Sequence, residues 1–145
     1  MSTAQVVLTV DAVIYRGGPQ GLEVLLIQRA KNPYQGYWSL PGGKVDESDP
    51  TLEYALCREV WEEATLHVGV QCQLGTYGDT NRDPRGRYVS VACLAYPLHP
   101  SGSPVAGSDA AQVAWFPVSC LPPLAFDHAQ ILQDAMLTLA VREGV

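Results

Sequence analysis

The sequence predicts a mixed α/β domain, in which a mixed or antiparallel sheet carries helices against its faces. Two observations support this class. The elements predicted along the chain follow the order strands, helix, strands, helix, and a length of 145 residues fits one domain of ordinary size with its own hydrophobic core. We therefore expect a single domain over residues 1–145.

Runs of aliphatic and β-branched residues predict the strands. "VVLTVDAVIY" (6–15) and "LEVLLIQRA" (22–30) flank the turn "RGGPQG" and are typical of a hairpin. "YWSLPGG" (37–43) begins as a short strand and ends in a Pro-Gly-Gly break. Later strands are predicted at 66–79, 88–98 and 112–118, with a polar, arginine-rich loop at 80–87 and a long loop at 100–111.

Two segments are typical of helices. "DPTLEYALCREVWEEAT" (49–65) has Asp49 as the predicted N-cap and Pro50 at the first helical position, where the missing N–H is tolerated. "FDHAQILQDAMLTLAVREG" (126–144) is predicted to close the domain, with Asp127 as N-cap and Gln130 completing a capping box.

Composition and charge exclude several function classes. The hydrophobic fraction is 47% and the charged fraction 17%, with no apolar run near the roughly 20 residues of a membrane span. The N-terminus lacks the features of a signal peptide, so we expect a soluble, cytoplasmic protein. A net charge of −6 disfavours binding to nucleic acid through phosphates alone. An anionic ligand would need a cation.

The four cysteines do not form a recognisable metal or redox motif. They are widely spaced, include no C-x-x-C pair and lie mostly in apolar surroundings. Buried free thiols are therefore favoured over disulfides for Cys57, Cys72, Cys93 and Cys120.

The carboxylates of "REVWEE" (58–63) are the strongest functional signal. At about 100° per residue, Glu59 and Glu63 fall on the inward stripe of the first helix and Glu62 flanks it. Burying a carboxylate without a partner costs on the order of several kcal/mol. Arg58 can pair with Glu62 four residues on, and a divalent cation such as Mg²⁺ suits the other carboxylates. The alternative is a solvated acidic face.

The segment before this helix, "LPGGKVDESDP", strengthens the cation hypothesis. Adjacent glycines let the backbone approach a ligand closely, and a carbonyl there can serve as a further oxygen ligand. Together, "GGKVDESDPTLEYALCREVWEEATL" (42–66) resembles the Nudix box, the signature of the Nudix hydrolases. The matching positions are Gly43, Arg58, Glu59, Val60, Glu62, Glu63 and Leu66.

The match departs from the pattern at two positions. The segment from Gly43 to Arg58 is one residue longer, so Asp49 or Pro50 replaces the first glutamate of the pattern, and the loop's support of the helix is in doubt. Thr65 replaces the glycine that follows the paired glutamates, which removes the residue that most easily adopts a left-handed cap.

The resemblance implies both a fold and a chemistry. The implied fold is an α/β/α sandwich with a mixed sheet, a catalytic loop-helix and a C-terminal helix. The implied reaction is hydrolysis of a nucleoside diphosphate linked to another group. Glu59, Glu62, Glu63 and the Gly43 carbonyl would hold Mg²⁺ or Mn²⁺, Arg58 would orient the glutamates, and the base would be a box glutamate or Asp109, although a loop aspartate is often only solvated.

Similarity along nearly the whole chain points to the ADP-ribose pyrophosphatase group, with a homodimer expected by analogy and ADP-ribose as the substrate. Each implied substrate contact has a structural alternative: the arginines can stabilise turns, and the aromatic side chains can belong to the core. His128 is predicted to pack at the helix start. The implied substrate contacts are Arg29, Trp38, Tyr77, Arg82, Arg85 and Arg87, with Tyr37 and Tyr88 as further aromatic candidates.

Two alternatives remain at this point. One is a Nudix hydrolase of nucleoside triphosphates or dinucleoside polyphosphates. The other is a non-catalytic Nudix domain that binds a nucleotide and signals its level.

Overall fold

The computed structural model describes residues 5–99, 102–107 and 109–142. In chain order, the elements are β1 (Val7–Gly18), β2 (Gly21–Arg29), β3 (Trp38–Ser39), β4 (Gly42–Lys44), α1 (Leu52–Ala64), β5 (Val68–Tyr77), β6 (Tyr88–Pro97), β7 (Ala110–Pro117) and α2 (His128–Arg142). The order of elements agrees with the sequence prediction.

The sheet is mixed and has seven strands. Its main path is β3-β2-β1-β6-β5, with β4 also paired to β1 and β7 also paired to β2. The β1–β6 pair is parallel, and every other pair among the described strands is antiparallel. The predicted hairpin between β1 and β2 is present, and the mixed α/β fold class is confirmed.

The predicted strand at 37–43 is two strands. Trp38–Ser39 pairs with β2, whereas Gly42–Lys44 pairs with β1 at Thr9–Asp11. The chain changes partner at Leu40–Pro41. The glycine pair therefore lies within a strand against β1, which fixes its position beside the first helix.

Two apolar clusters lie between the sheet and the two helices, one on each face of the sheet. Val10, Ala12 and Ile14 of β1 pack in the cluster that contains the buried face of α1. Val13 points to the opposite face and packs in the cluster that contains α2, as strand alternation requires. The sheet is thus buried on both sides by one helix each.

Several predicted caps and boundaries differ from the structure. Helix α1 begins at Leu52 with Thr51 as N-cap, and the Thr51 hydroxyl accepts a hydrogen bond from Tyr54 N, so the assignment of Asp49 as N-cap is wrong. The capping box of α2 is also wrong. The Asp127 carboxylate accepts from Arg82, and the Gln130 side chain donates to Asp134. The predicted end at residue 144 lies outside the described residues.

The cysteines are free thiols, but they are not all buried. Cys93 is buried, Cys57 and Cys72 are half-buried, and Cys120 is exposed. Neither helix in the described part of the chain is long and apolar enough to cross a membrane.

Candidate active site

A cavity of about 460 Å³ lies beside the Gly42–Lys44 strand, at a volume usual for small-molecule sites. It collects side chains from β1, β2, α1, the loop between β5 and β6, and the start of α2. Carboxylates of α1 form an acidic wall of the cavity, and arginines of β2 and of the loop between β5 and β6 form a basic side. The predicted site residues that line it are Gly43, Glu59, Glu62, Glu63, Arg29, Arg82, Arg85 and Asp109.

The acidic wall is formed by the three box glutamates of α1. The Glu59 side chain is 14% exposed and the Glu62 side chain 45% exposed, so Glu59 faces inward and Glu62 flanks it, as the helical register predicts. Glu63 accepts a hydrogen bond from Gly42 N at 2.7 Å. This bond joins α1 to β4 within the cavity lining.

Arg58 organises these carboxylates without facing the cavity. Its guanidinium donates to Glu59 Oε1 at 2.9 Å and to both Glu62 oxygens at 3.3 Å. It also binds Asp49 through two nitrogens, at 2.9 and 2.8 Å. This bond holds the pKa of Asp49 below its usual range. Asp49 therefore fixes the longer loop against α1, which resolves the doubt about the loop's support of the helix.

Gly43 lies directly against Glu59. A Cβ at Gly43 would lie 2.4 Å from Glu59 Oε2, closer than any real contact, so only glycine leaves room for the carboxylate. The close approach places a backbone segment and a carboxylate side by side. Both offer the hard oxygen ligands that Mg²⁺ and Mn²⁺ prefer.

The surroundings of this wall disfavour the ionised form of its carboxyl groups. Burial raises the pKa of Glu63 to about 8, and the nearby Glu59 and Asp11 carboxylates raise it further, against the bond from Gly42. Burial also raises the pKa of Glu59. Three carboxylates, those of Asp49, Glu59 and Glu62, share the single guanidinium of Arg58, and Glu63 has no cationic partner among the hydrogen bonds that it forms within the described residues. A nearby cation would favour the ionised form of these groups, so the donor set fits a divalent cation.

The carboxylates are not yet assembled as ligands. Among residues 5–99, 102–107 and 109–142, no three His, Cys, Asp or Glu side chains form a group that could hold a metal ion. Arg58 holds Glu59 and Glu62 instead. A bound cation would therefore compete with Arg58 for these oxygens.

The basic side contains three arginines in different states. Arg82 forms a two-nitrogen bond with Asp127, at 2.9 and 2.6 Å, and Arg85 forms a similar one with Asp83. Arg29 donates to the Pro33 carbonyl at 2.7 Å and lies 5.0 Å from the centroid of the Phe126 ring.

Arg29 differs from the other two arginines because it has no direct ion-pair partner among the described residues, although the charges of Glu63, Asp83 and Asp109 also act on it. No ion pair involves its guanidinium within the part of the chain that the structure describes, whereas Arg82 and Arg85 each have a carboxylate partner. Burial and the Arg85 charge lower the pKa of Arg29. An anionic ligand group would relieve both effects.

Three predicted substrate contacts do not reach the cavity. Trp38 packs in the α2-side cluster, edge-on to Phe116. Tyr77 packs there as well and donates to Asp134 at 2.7 Å. Arg87 is exposed and donates to Thr80. For the two aromatic residues, the core alternative describes their position.

Asp109 reaches the cavity but is exposed. Its side chain is 71% exposed and lies 3.2 Å from Lys31 Nζ, which also lines the cavity. The structure brings Asp109 to the site, and its role as a base stays a prediction.

Tyr88, a further aromatic candidate from the sequence, lines the cavity and lies buried beneath Arg85 and Lys44. Sequence reasoning gave no cavity role to several other lining residues, among them His128, Asp11 and Phe126. His128 packs at the helix start, as predicted, and also faces the cavity. Asp11 gave a signal, because a charged residue interrupts the apolar run "VVLTVDAVIY". Phe126 gave none, because an aromatic before a helix usually packs in the core.

Residues 6–135 match the NUDIX domain family. The chain is 39% identical over 129 residues to the ADP-ribose pyrophosphatase of Methanocaldococcus jannaschii, covering 89% of this chain and 72% of that protein. It is 33% identical over 134 residues to the ADPR responsive transcriptional repressor NtrR of Acinetobacter baylyi, covering 91% of this chain. The chain spans only 54% of the repressor's length.

The fold resembles that of the NUDIX domain of Shewanella oneidensis NrtR, solved as a complex with ADP ribose. The TM-score is 0.84 at 35% identity, with 94% of this chain and 90% of that chain covered. Nudix hydrolases generally use divalent metal ions, which agrees with the donor set of the acidic wall. The chain belongs to the Nudix family and is a Nudix pyrophosphohydrolase.

Proposed function

We propose that this protein hydrolyses ADP-ribose to AMP and ribose 5-phosphate in a reaction that requires Mg²⁺ or Mn²⁺. The observation that carries the proposal is that one cavity is lined both by the carboxylates of α1 and by Arg29, an arginine without an ion pair in the described part of the chain. A pyrophosphate needs both, because its oxygens bind cations and guanidinium groups alike. The similarity to the M. jannaschii ADP-ribose pyrophosphatase supports this choice of substrate.

Each residue has a proposed task. Glu59, Glu62, Glu63 and the Gly43 carbonyl would hold the metal, which when bound neutralises phosphate oxygens and lowers the pKa of a coordinated water. Arg58 keeps the glutamates oriented.

The remaining polar groups act on the substrate. Arg29 binds a phosphate oxygen, with Arg82 and Arg85 beside it. Water adds to phosphorus, the pyrophosphate P–O bond breaks, and the proton of the water passes to a base, either a box glutamate or Asp109.

The test is hydrolysis by the purified protein of ADP-ribose beside nucleoside triphosphates, dinucleoside polyphosphates and sugar nucleotides, with Mg²⁺, with Mn²⁺ and with EDTA. We expect metal-dependent release of AMP from ADP-ribose. Glu63→Gln should abolish it, whereas Glu53→Gln, on the exposed face of the same helix, should not. Preference for another nucleotide would overturn the ADP-ribose assignment and leave the Nudix chemistry.

A nucleotide-sensing role is the second candidate, because the NtrR relative is named a transcriptional repressor. It predicts ADP-ribose binding without turnover of any nucleotide in the panel. We favour the enzyme, since all three box glutamates are present and lie on one wall. The homodimer, the cytoplasmic location and the single domain remain parts of this proposal, and sedimentation velocity of the purified chain tests the dimer.

A further inference from the structure

Asp11 and His128 form a buried polar pair at the edge of the cavity, outside the box and the arginines. Asp11 lies on β1, and His128 is the first residue of α2. Their side chains are 10% and 5% exposed, and both line the cavity. A buried carboxylate beside a buried imidazole normally forms a direct hydrogen bond with it. These two side chains do not.

Hydrogen bonds at the outer atoms fix the state of the pair. The backbone N–H of Leu40 donates to His128 Nδ1 at 3.0 Å, so the neutral ring carries its proton on Nε2. The Ser90 hydroxyl donates to Asp11 Oδ2, which leaves Oδ1 as an acceptor. Burial lowers the pKa of His128 and so favours the neutral ring.

The two inner atoms are too far apart to bond to each other. Nε2 of His128 lies 3.7 Å from Oδ1 of Asp11, beyond a good hydrogen bond. An oxygen placed about 2.8 Å from each atom completes a triangle with both at normal hydrogen-bond length. Both side chains line the cavity, and Gly42 beside them has no side chain to occupy it: a Cβ there would lie 2.7 Å from Asp11 Oδ1 and 2.1 Å from the Val10 carbonyl oxygen.

We propose that Asp11 Oδ1 and His128 Nε2 form a subsite for one hydroxyl group of a ribosyl moiety of the substrate. The hydroxyl donates to the carboxylate and accepts from the imidazole N–H, so both of its capacities are used. A phosphate group does not fit the pair, because the carboxylate repels it. Carboxylates recognise ribose hydroxyls in other nucleotide sites in the same way. The inference rests on the proposed function, since it requires a sugar-bearing substrate.

Two substitutions at His128 distinguish the roles of the two ring nitrogens. Asparagine places its side-chain oxygen near the Nδ1 position, so His128→Asn retains the acceptor for Leu40 N–H and lacks the inner donor. Glutamine reaches the Nε2 position, so His128→Gln restores an inner donor. His67→Asn is the matched control, because His67 is exposed and stacks on Trp61. Thermal unfolding checks that each variant is folded.

The measurement is binding in EDTA of AMP, ribose 5-phosphate and ADP-ribose, with pyrophosphate as the ligand that has no sugar hydroxyl. We expect His128→Asn and Asp11→Asn to lower the affinity for ADP-ribose and for at least one sugar phosphate by about tenfold, the loss typical of one charge-assisted hydrogen bond. The affinity for pyrophosphate should not change, and His128→Gln should recover part of the affinity for the sugar-bearing ligands.

The proposal is overturned if folded His128→Asn binds both sugar phosphates as tightly as the native protein does. It is also overturned if the variant loses as much affinity for pyrophosphate as for the sugar phosphates. Failure of the proposed function has a different signature. In that case the native protein does not hydrolyse ADP-ribose with Mg²⁺, while the sugar phosphates still lose affinity in the variants and pyrophosphate does not.

Discussion

At the scale of single residues, the site depends on a close contact that only glycine allows. Gly43 approaches the Glu59 carboxylate so closely that Gly43→Ala places a methyl group 2.4 to 2.8 Å from its three terminal atoms. The carboxylate must then move. We expect at least about a tenfold fall in kcat/KM, because misplaced catalytic groups cost rate far more than stability.

Gly17→Ala is the matched control for this prediction. A Cβ at Gly17 meets nothing within 4 Å, so the same chemical change should leave both activity and stability near the native values. Equal activity of the two variants in the ADP-ribose assay would show that Glu59 does not need its present position.

His128 also makes stability depend on pH. Burial lowers its pKa below the ordinary value of 6.5, although Asp11 and Asp127 act in the opposite direction and Arg82 and Arg29 reinforce the shift. Below pH 6.5 the unfolded chain binds a proton that the folded protein resists. The contribution is therefore present above pH 6.5 and is lost as the pH falls through the lowered value.

Denaturant unfolding of the native protein and His128→Asn between pH 7.5 and 5 measures this effect. The native protein should lose more stability on acidification, by at most about 1.4 kcal/mol per pH unit for one proton. Parallel pH profiles for the two proteins would contradict the prediction.

At the scale of elements, the end of α1 shows how the chain accommodates its departure from the box pattern. Thr65 takes the left-handed conformation at φ 54° that glycine adopts most easily, and its N–H still caps Trp61 O. The Thr65 hydroxyl donates to the Val105 carbonyl at 3.0 Å, and Val105 N donates back to Ala64 O. The loop between β6 and β7 therefore supports the strained residue.

Substitutions at Thr65 separate strain from this hydrogen bond. Thr65→Gly relieves strain and loses the bond, so its free energy of unfolding should change by less than about 1 kcal/mol. Thr65→Val keeps a branched side chain in the left-handed conformation without the bond, and we expect a loss of about 1 to 2 kcal/mol. Urea unfolding ranks the two variants, and a less stable glycine variant would contradict this account.

The sequence predicts elements well where periodicity and the partner surface agree. The alternation of β1 and the amphipathic face of α1 are local, and both are present in the structure. The residues that the Nudix box singles out, Glu59, Glu62, Glu63 and Gly43, all line one cavity, and their role as metal ligands stays a prediction. The caps were less predictable, because Asp49 is a good N-cap by type but is bound by Arg58, which lies nine residues away.

Long-range contacts explain why other predicted residues lie away from the cavity. Trp38 and Tyr77 are residue types that stack on ligands, but both pack against the apolar cluster that contains α2. Conversely, Asp11 and His128 lie 117 positions apart, and only the packing of α2 against β1 brings them together. No local pattern contains that information.

At the scale of the whole molecule, the acidic wall adds a local excess of carboxylates to a chain that is acidic overall. The chain has a net charge of −6, and much of the imbalance near the cavity lies in buried or half-buried carboxylates around Arg58. A divalent cation that binds the folded acidic wall, and not the unfolded chain, must stabilise the fold by mass action. With the metal about 100-fold above its dissociation constant, the gain is about 2.7 kcal/mol.

Thermal unfolding in Mg²⁺, in EDTA and in NaCl of equal ionic strength measures this gain without any substrate. The melting temperature of the native protein should rise more in Mg²⁺ than in NaCl. Because both salts screen exposed charges equally at the same ionic strength, the additional rise reports binding of the divalent cation. Glu63→Gln should reduce the rise by removing a carboxylate from the wall, and Glu53→Gln should keep it. If Glu63→Gln gained as much from Mg²⁺ as Glu53→Gln, the cation would bind elsewhere, and the acidic wall would lose its proposed role.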